Sequence, residues 1–393
     1  MYRGLFLADI HIGALPYDQT CLEVDHLKKL LKNYTTESLL DFIIIGGDYF
    51  DKQMYTSDLY IDIAQRLMIH LLSSAKIVRV VYGTSSHDSS QYQIFEPLVN
   101  ELPQAMDILD FDFRIIKTVE EEEILPGMKV LYIPEEYIYD KTTYYKDFLS
   151  KENEYAYIFG HGMIADAFRG KIKEPKKIDH TRKKAPIFNA GELSYACFGD
   201  VLFGHYHVHT EMINNVSYVG SFSRWMHGEE EEKGFYQLFY DEVDAESKKS
   251  FVVNTEALRY VTTCYGYNSS VFTSQDEWEI VAKKLLKAVI ARKLYRLRVI
   301  FNIPVGYENP EAFIKFFRDR FSSTNHINVE FSNGYTEKKI TNAKKRIDDF
   351  PEEYKIFIDK NVPEEVKLSV FIKMKRGIDI SPEVVKEYLE TNG

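Results

Sequence analysis

The strongest constraint on the fold is a repeated pattern in which a short apolar run ends in a cluster of His, Asp and Gly residues. Such runs, separated by amphipathic stretches, are typical of buried strands in a layered α/β domain. Ligands bind at the carboxyl ends of strands in open α/β sheets, so clusters at these positions are expected to share one edge. The clusters are Asp9-Ile10-His11, Gly47-Asp48-Tyr49-Phe50-Asp51, Ser86-His87-Asp88, Gly160-His161-Gly162 and Gly204-His205-Tyr206-His207.

The same periodicity predicts individual elements. The predicted strands are Arg3–Ala8, Phe42–Gly46, Ile77–Tyr82, Lys129–Ile133, Tyr155–Gly160, Val201–Gly204 and Phe235–Tyr240. The predicted helices are Leu22–Tyr34, Ser57–Ser73 and Gln91–Leu102. From Leu258 a strand-helix-strand-helix-strand pattern predicts a compact second domain, and a helical tail is expected over Pro351–Leu389.

Composition fits a globular protein but decides little about its partner. The net charge of −11 counts against a nucleic-acid partner, although acidic residues are bunched in Glu120–Glu123 and Glu229–Glu232. Residues 169–184, by contrast, hold eight basic and two acidic side chains. The three cysteines show no CxxC pairing, which favours a reducing compartment. No signal peptide and no membrane-length apolar run is evident, so we expect a cytoplasmic protein without membrane contact.

The polar clusters predict a metal site. Two neighbouring divalent cations need a bridging carboxylate, for which Asp48 is the natural candidate, and Asp and His side chains from other strand ends would complete both ligand sets. Oxygen and nitrogen ligands without thiolate suit Mn, Fe or Zn. Such a pair can activate water, orient a phosphodiester and neutralise its charge. A nearby histidine that binds no metal can protonate the leaving oxygen.

In this order, the DxH, GDxxD, HD, GH and GHxH clusters resemble the calcineurin-like metallophosphoesterase superfamily. The forms DIHIG and GDYFD, with Tyr218–Ser221 and Lys233-Gly234-Phe235, resemble its SbcD or meiotic-recombination-eleven nuclease family, possibly a phage-encoded version. The resemblance implies a layered α/β/β/α sandwich over residues 1–257. It further implies a small α/β capping domain over 258–340 and a C-terminal helical tail over 341–393.

Residue roles follow from the resemblance by position. The first metal would be held by Asp9, His11, Asp48 and His207, and the second by Asp48, His161 and His205. His87 matches the family's transition-state histidine, and Asp51 matches the acid that orients that histidine in related phosphatases.

One departure concerns the second metal. The family has Gly-Asn-His, with the Asn carbonyl as a ligand, whereas this chain has GTSSHD, with Ser86 in the Asn position. Ser86 would ligate directly or through water, or a neighbour such as Asp88 would replace it. We therefore expect a weaker second site, with Mn more effective than Mg.

The basic run is a candidate DNA-tracking loop that would position a duplex without reading its sequence, although a solvated charged loop is the default interpretation. Its candidate DNA-binding residues are Arg169, Lys171, Lys173, Lys176, Lys177 and Arg182.

Partners are also implied by the resemblance. The tail would dock on the coiled-coil base of an SbcC-like ATPase through apolar positions at helical spacing, and packing within its own domain is the ordinary alternative. These positions are Tyr354, Phe357, Ile358, Val366, Val370, Phe371 and Met374. Helices near 57–73 and 91–102 correspond to where family members form homodimers, and core packing explains their apolar faces equally well.

The sequence thus favours a two-metal DNA nuclease, a 3′–5′ exonuclease on duplex ends and an endonuclease on single strands, acting in double-strand-break repair and recombination. Two alternatives stay open. One is a small-molecule phosphodiesterase or protein phosphatase on the same fold. The other is a non-catalytic scaffold whose second metal site has decayed at Ser86.

Overall fold

The structure is a computed structural model of the chain. It describes residues 1–36, 38–55, 58–88, 91–95, 112–168, 182–213, 215–229, 231–290, 295–324, 326–333, 363, 365–369 and 381–386. Contacts group the chain into two compact units. The first comprises residues 1–263, 283–298 and 321–328, and the second comprises residues 264–282, 299–320 and 329–393. The segment predicted as a second domain, residues 258–340, is thus divided between the two units.

The described residues form seventeen strands, of which the first fourteen lie in the first unit. They are β1 (Tyr2–Leu7), β2 (Leu40–Gly46), β3 (Ala75–Val81), β4 (Asp112–Ile116), β5 (Glu120–Leu125), β6 (Met128–Ile133), β7 (Tyr155–His161), β8 (Met163–Ile164), β9 (Ile187–Phe188), β10 (Cys197–Gly204), β11 (Thr210–Glu211), β12 (Val216–Tyr218), β13 (Gly234–Asp241), β14 (Glu246–Val253), β15 (Arg259–Tyr265), β16 (Tyr295–Ile303) and β17 (Ile327–Asn333). Every strand predicted from the sequence is among them, and the prediction of a mixed α/β fold is confirmed.

Helices connect many of the strands. They are α1 (Tyr17–Thr35), α2 (Leu59–Leu72), α3 (Ser85–Asp88), α4 (Lys141–Tyr144), α5 (Lys146–Leu149), α6 (Ala190–Ala196), α7 (Gln275–Ile290) and α8 (Pro310–Phe321). Short 3₁₀ turns cover Gln91–Phe95, Ala165–Phe168 and Ser270–Phe272. The predicted helix Gln91–Leu102 is therefore a 3₁₀ turn as far as Phe95, and its remainder lies outside the described residues.

Two six-stranded sheets form the centre of the first unit. Their strand orders are β14-β13-β1-β2-β3-β4 and β11-β12-β10-β7-β6-β5. Strands β1, β2, β3 and β4 run parallel to one another, as do β6, β7, β10 and β12, while the remaining pairs within these two sheets are antiparallel. Each sheet therefore brings the carboxyl ends of several neighbouring strands to one edge.

Alternate side chains of the same strand pack into different core layers. In β2, Ile43 and Ile45 pack in the same core cluster as the helices, whereas Phe42 and Ile44 pack in a cluster shared with the second sheet. Successive side chains of a strand point to opposite faces, so one strand serves two cores. The second sheet likewise has an outer core that includes residues of α6. The order of layers is helices, sheet, sheet, helices.

The outer helices follow from amphipathic spacing and capping. Helix α1 buries Val24, Leu27 and Leu31, which recur on one helical face. Helix α2 begins after Asp58, whose carboxylate accepts a hydrogen bond from the Tyr60 backbone N–H at 3.1 Å. That bond satisfies one of the amide groups left free in the first turn of a helix.

The second unit has an aromatic core of its own. The rings of Phe301 and Phe317 have centroids 4.4 Å apart, and those of Phe301 and Phe313 are 5.1 Å apart. Trp278 meets Phe313 edge to face at 5.3 Å, and Phe331 stacks on Phe301 at 5.8 Å. Such geometries are favourable beyond the burial of area alone.

The structure describes only a small part of the predicted helical tail over Pro351–Leu389. Residues 365–369 and 382–386 are helical, and the rest of that prediction lies outside the described residues. Over the part of the chain that is described, no helix is both long and apolar enough to cross a bilayer.

The core between the two sheets should be sensitive to truncation at Phe159. This residue is fully buried, and its ring stacks on Phe6 at 5.4 Å and on Tyr157 at 5.3 Å. Phe159→Ala should lower the free energy of unfolding by about 3–5 kcal/mol, because it removes buried contacts and leaves a cavity. Urea denaturation followed by far-UV circular dichroism measures the change.

Phe198→Ala is the matched control, since Phe198 lies in β10 but is 42% exposed. Its effect should stay within about 0.5 kcal/mol. Equal effects of the two substitutions would contradict the assignment of Phe159 to a tightly packed core.

Candidate metal centre

Strand ends from both sheets meet at one place in the first unit. Asp9 follows β1, Asp48 follows β2 and Thr84 follows β3. In the second sheet, His161 ends β7 and His205 follows β10. The metal-ligating side chains predicted from scattered clusters are therefore close together, with the exception of Ser86.

The backbone at this place is held in an uncommon conformation. Asp9, His11, Asp48 and His205 have φ values of 51°, 50°, 49° and 94°. Positive φ is unusual for residues other than glycine, and such outliers cluster at functional sites. Main-chain bonds hold the turn: the Asp9 N–H donates to the Gly47 oxygen at 3.1 Å, and the His11 N–H donates to the Asp48 oxygen at 3.0 Å.

A first group of ligand atoms consists of Asp9, His11 and His207, whose donor atoms lie within 4.8 Å of one another. The Nε2 atoms of His11 and His207 are 3.0 Å apart, and each is 4.0 Å from Asp9 Oδ1. Asp48 Oδ2 is 3.8 Å from His11 Nε2. The His205 N–H donates to both Asp9 oxygens, at 3.0 and 3.1 Å, and so fixes that carboxylate.

A second group consists of Asp48, His161 and His205, also within 4.8 Å of one another. His161 Nε2 is 3.3 Å from Asp48 Oδ2. The His161 ring is fully buried, and its Nδ1 is 2.7 Å from the Gly46 carbonyl oxygen. An Nδ1–H bond to that oxygen leaves Nε2 directed toward Asp48, as is usual for metal-ligating histidines.

Asp48 lies close to both groups of ligand atoms. Burial alone would raise its pKa, but the charges of His161, His11 and His87 hold the pKa of this carboxyl well below its usual range. Burial would likewise lower the pKa of His161, yet the Asp48 carboxylate raises it to about 10. The Asp48 carboxylate and the His161 imidazole therefore stabilise each other's charged forms.

His87 lies at the mouth of the site. Its ring nitrogen falls within 4.8 Å of ligand atoms of His11 and Asp48, and its Nδ1 bonds to the main-chain oxygen of Asp51. The Asp51 carboxylate is instead 3.6 Å from His11 Nδ1. Asp51 thus holds His87 through its backbone, whereas the expectation was orientation through the carboxylate, which here faces His11.

The GTSSHD loop differs from expectation at Ser86 and Asp88. Ser86 is exposed, and the wall of the site is formed by Thr84 instead. The Thr84 N–H donates to Asp48 Oδ1 at 2.6 Å, and its Oγ1 lies 3.2 Å from Asp48 Oδ2. A Cβ at Gly83 would lie 2.2 Å from the Asp48 backbone nitrogen, so only glycine allows this close approach.

Asp88 is fully buried, and both of its carboxyl oxygens accept hydrogen bonds. Its oxygens accept from the backbone N–H groups of Asp48 at 2.9 Å, Tyr49 at 3.1 Å and Gly83 at 2.9 Å, and from the Tyr92 hydroxyl at 2.7 Å. Burial first, and then the charge of Asp48, raise its pKa to about 7. Asp88 therefore anchors the loops that carry Asp48 and does not face the site as a ligand.

Two site residues were missed from the sequence. Glu135, 8% exposed, has its Oε2 3.1 Å from His205 Nδ1 and 3.2 Å from Thr84 Oγ1. Glu229 Oε1 lies 3.6 Å from His207 Nδ1. Burial would lower the pKa of His207, but the Glu229 contact and the charge of Asp9 raise it. Glu135 lies two residues beyond the predicted strand Lys129–Ile133, which is the signal the sequence offers for it.

Lys233 holds the segment that carries His207. It is almost fully buried, and its Nζ donates to the His207 oxygen at 2.7 Å and to Ser221 Oγ at 3.1 Å, and pairs with Glu229 Oε2 at 3.2 Å. Lys233 and Ser221 therefore support the site by fixing the backbone at His207.

An open cavity of about 380 Å³ leads to the metal ligands. It is lined by His11, Ala14, Asp48, Asp51, Thr84, His87, His205, His207, Trp225 and Met226. The Trp225 ring lies 5.8 Å from the His11 ring, so an apolar wall stands beside the ligand groups.

The candidate DNA-binding residues are described only in part. Arg169, Lys171, Lys173, Lys176 and Lys177 lie outside the described residues. Arg182 is exposed to solvent, and the following Lys183 places its Nζ 5.4 Å from the Tyr139 ring centroid. The prediction of a DNA-tracking loop stays a prediction.

The side chains fit divalent cations. Ligand atoms about 2.1 Å from one cation lie roughly 3.0–3.4 Å apart in octahedral to tetrahedral arrangements. The His11–His207 separation of 3.0 Å and the His161–Asp48 separation of 3.3 Å fall in that range. These buried Asp and His groups could therefore hold a metal ion.

Comparisons with known proteins add little to this geometry. No protein-family model matches the sequence, and no curated protein matches it. One crystal structure that matches is 13% identical, covers 63% of this chain and 98% of its own, and has a TM-score of 0.30. A likeness this low shows neither the fold nor the function of this chain.

Metal binding should release protons. Because the Asp48 carboxylate raises the pKa of His161 to about 10, this imidazole is protonated near neutral pH and must become neutral to ligate. The affinity for Mn should therefore rise as pH increases, roughly tenfold per pH unit for each proton released. Calorimetry at about pH 7 and pH 8, in buffers of different ionisation enthalpy, measures the affinity for Mn and the number of protons released on binding. Equal affinity at the two pH values would show that the histidines are already neutral.

Proposed function

We propose that this chain is a two-metal phosphodiesterase that hydrolyses DNA. The observation that carries the proposal is the position of the Asp48 carboxylate, 3.8 Å from His11 Nε2 and 3.3 Å from His161 Nε2. A carboxylate shared between two ligand groups is what a pair of neighbouring divalent cations requires.

The ligand sets follow from the two groups. Asp9, His11, Asp48 and His207 would hold one cation, and Asp48, His161 and His205 the other. Bound there, the cations would supply the Lewis acidity that activates water and neutralises charge on the phosphate. Manganese is the expected metal, with magnesium less effective, because nitrogen and carboxylate ligands are mixed.

The fold supports the same assignment. Helix, sheet, sheet and helix layers are compatible with the α/β/β/α metallophosphoesterase sandwich that the sequence resemblance implies, and the proposed ligands come from strand ends in both sheets. Catalytic groups on rigid strand ends are held more accurately than groups on long loops.

The chain's own residues suit phosphodiester cleavage. An Nδ1–H bond from His87 to the Asp51 oxygen orients the ring, so its Nε2 can deliver a proton to the departing sugar oxygen. Trp225 and Met226 form an apolar wall of the cavity on which a nucleoside can rest.

DNA as the substrate, and the partners, rest on the resemblance of DIHIG, GDYFD and GHxH to the SbcD family. On that basis we propose 3′–5′ exonuclease activity on duplex ends and endonuclease activity on single strands. The protein would act in the cytoplasm as a homodimer, with an SbcC-like ATPase bound to its C-terminal helices. Exposed Arg182 beside Lys183 is compatible with a DNA backbone near this unit.

His87→Ala should lower DNA cleavage in Mn by about 10²–10⁴-fold, because it removes the proton donor. It should leave both Mn ions bound, because the two ligand sets proposed above do not include His87. His87 also forms a group with His11 and Asp48 whose ligand atoms lie within 4.8 Å of one another, so the loss of one Mn in His87→Ala would assign this histidine to a cation instead. Single-turnover cleavage of labelled duplex and single-stranded DNA, with Mn counted by calorimetry, measures both effects.

His227→Ala is the control, a histidine near Trp225 that is outside the cavity lining, and it should cleave at the normal rate. Cleavage of generic phosphodiesters without cleavage of DNA would point to the small-molecule phosphodiesterase. At most one bound Mn, together with unchanged function in His87→Ala, would favour the scaffold.

A further inference from the structure

Glu135 is a buried carboxylate at the second ligand group. Its Oε2 lies 3.1 Å from His205 Nδ1, 3.8 Å from His161 Nε2 and 3.2 Å from Thr84 Oγ1. Its backbone N–H donates to the Tyr82 oxygen at 3.1 Å, which ties the end of β6 to the end of β3. Neither side chain nor backbone is therefore free to swing away from the site.

Two of these separations match those of atoms that share a cation, while Glu135 itself stands outside the group of Asp48, His161 and His205 whose ligand atoms all lie within 4.8 Å of one another. Two of the three distances from Glu135 Oε2, and that between His161 and Asp48, lie between 3.1 and 3.3 Å. Ligand atoms at about 2.1–2.2 Å from one metal have roughly this spacing. Because Glu135 Oε2 is also within hydrogen-bond distance of His205 Nδ1, the position of a bound cation decides whether this carboxylate ligates the metal or only orients His205.

Other residues are less suited to complete this ligand set. Ser86 is exposed, and Asp88 already accepts four hydrogen bonds shorter than 3.2 Å, from the N–H groups of Asp48, Tyr49 and Gly83 and from the Tyr92 hydroxyl. The Thr84 hydroxyl is within 3.2 Å of both Asp48 and Glu135, and a neutral hydroxyl is a weak ligand. Glu135 offers a charged oxygen at the same place.

We infer that Glu135 supplies a carboxylate ligand to the second divalent cation, in the position that an amide oxygen would otherwise occupy; this rests on the proposed two-metal function. The ligand set then becomes Asp48, His161, His205 and Glu135. An added negative charge increases affinity for a hard cation such as Mn or Mg. The second site is then not weakened by the serine at position 86, contrary to the expectation from the sequence.

Removing this charge while keeping the side chain's size tests the inference. Glu135→Gln should weaken binding of the second Mn by at least about tenfold and leave the first unchanged, because Glu135 is outside the first ligand group. Calorimetric titration of the whole chain with Mn counts the sites and gives both affinities. Glu135→Asp, which keeps the charge, should bind the second Mn more tightly than Glu135→Gln.

Glu136→Gln is the matched control. Its carboxylate accepts from the Val119 N–H at 2.9 Å and the Tyr144 hydroxyl at 2.6 Å, and its loss should change neither Mn affinity. Two Mn bound with normal affinities in Glu135→Gln would overturn the role of Glu135 and leave the two-metal function standing. Fewer than two Mn in the wild-type chain would instead overturn the proposed function.

A crystal of the wild-type chain soaked in Mn gives a readout that does not depend on how the variants fold. Anomalous scattering should place the second Mn within about 2.3 Å of a Glu135 oxygen. A second Mn more than about 3.5 Å from that carboxylate would overturn the inference even if both cations are present.

Discussion

The site depends on how the carboxylate of Asp48 is held between two histidine groups. Its backbone has a φ of 49°, which is unusual for a residue other than glycine. Asp88 accepts hydrogen bonds from the N–H groups of Asp48 and Tyr49, and Gly83 leaves room for the approach. The strain at Asp48 is thus offset by the hydrogen bonds that the buried Asp88 carboxyl group accepts from this turn.

The two sheets make this arrangement possible because their parallel strands end at the same place. One parallel set brings Asp9, Asp48 and Thr84 together, and the other brings Glu135 and His205. Each side chain sits one to three residues beyond a strand whose register is fixed by its neighbours. The relative placement of ligands therefore follows from main-chain hydrogen bonding in the sheets more than from contacts among the ligands themselves.

The sequence predicted much of this because apolar runs and their polar ends are local features. Strand ends at Asp9, Asp48 and His161 could be found from periodicity alone. Periodicity could not show that Thr84, and not Ser86, lies beside the site. That depends on the path of the loop through the short helix α3. Glu135 was passed over because Pro134 and two glutamates after a strand look like an ordinary turn. The sequence also suggested no strand at the acidic cluster Glu120–Glu123. In the structure this cluster forms part of the edge strand β5, where alternate side chains face solvent.

Electrostatics connects the fold to the proposed chemistry. Asp9, Asp48 and Glu135 are 0%, 3% and 8% exposed, and burying three carboxylates together is costly unless positive charge accompanies them. The pKa of His161 is raised to about 10 and that of His207 is also raised, so both imidazoles favour the protonated form beside these carboxylates. Cations bound by the same atoms would replace those protons while keeping the carboxylates compensated. The same buried carboxylates that make the site costly to fold would therefore make it bind divalent cations. Because the cations would bind only the folded chain, they would also stabilise it.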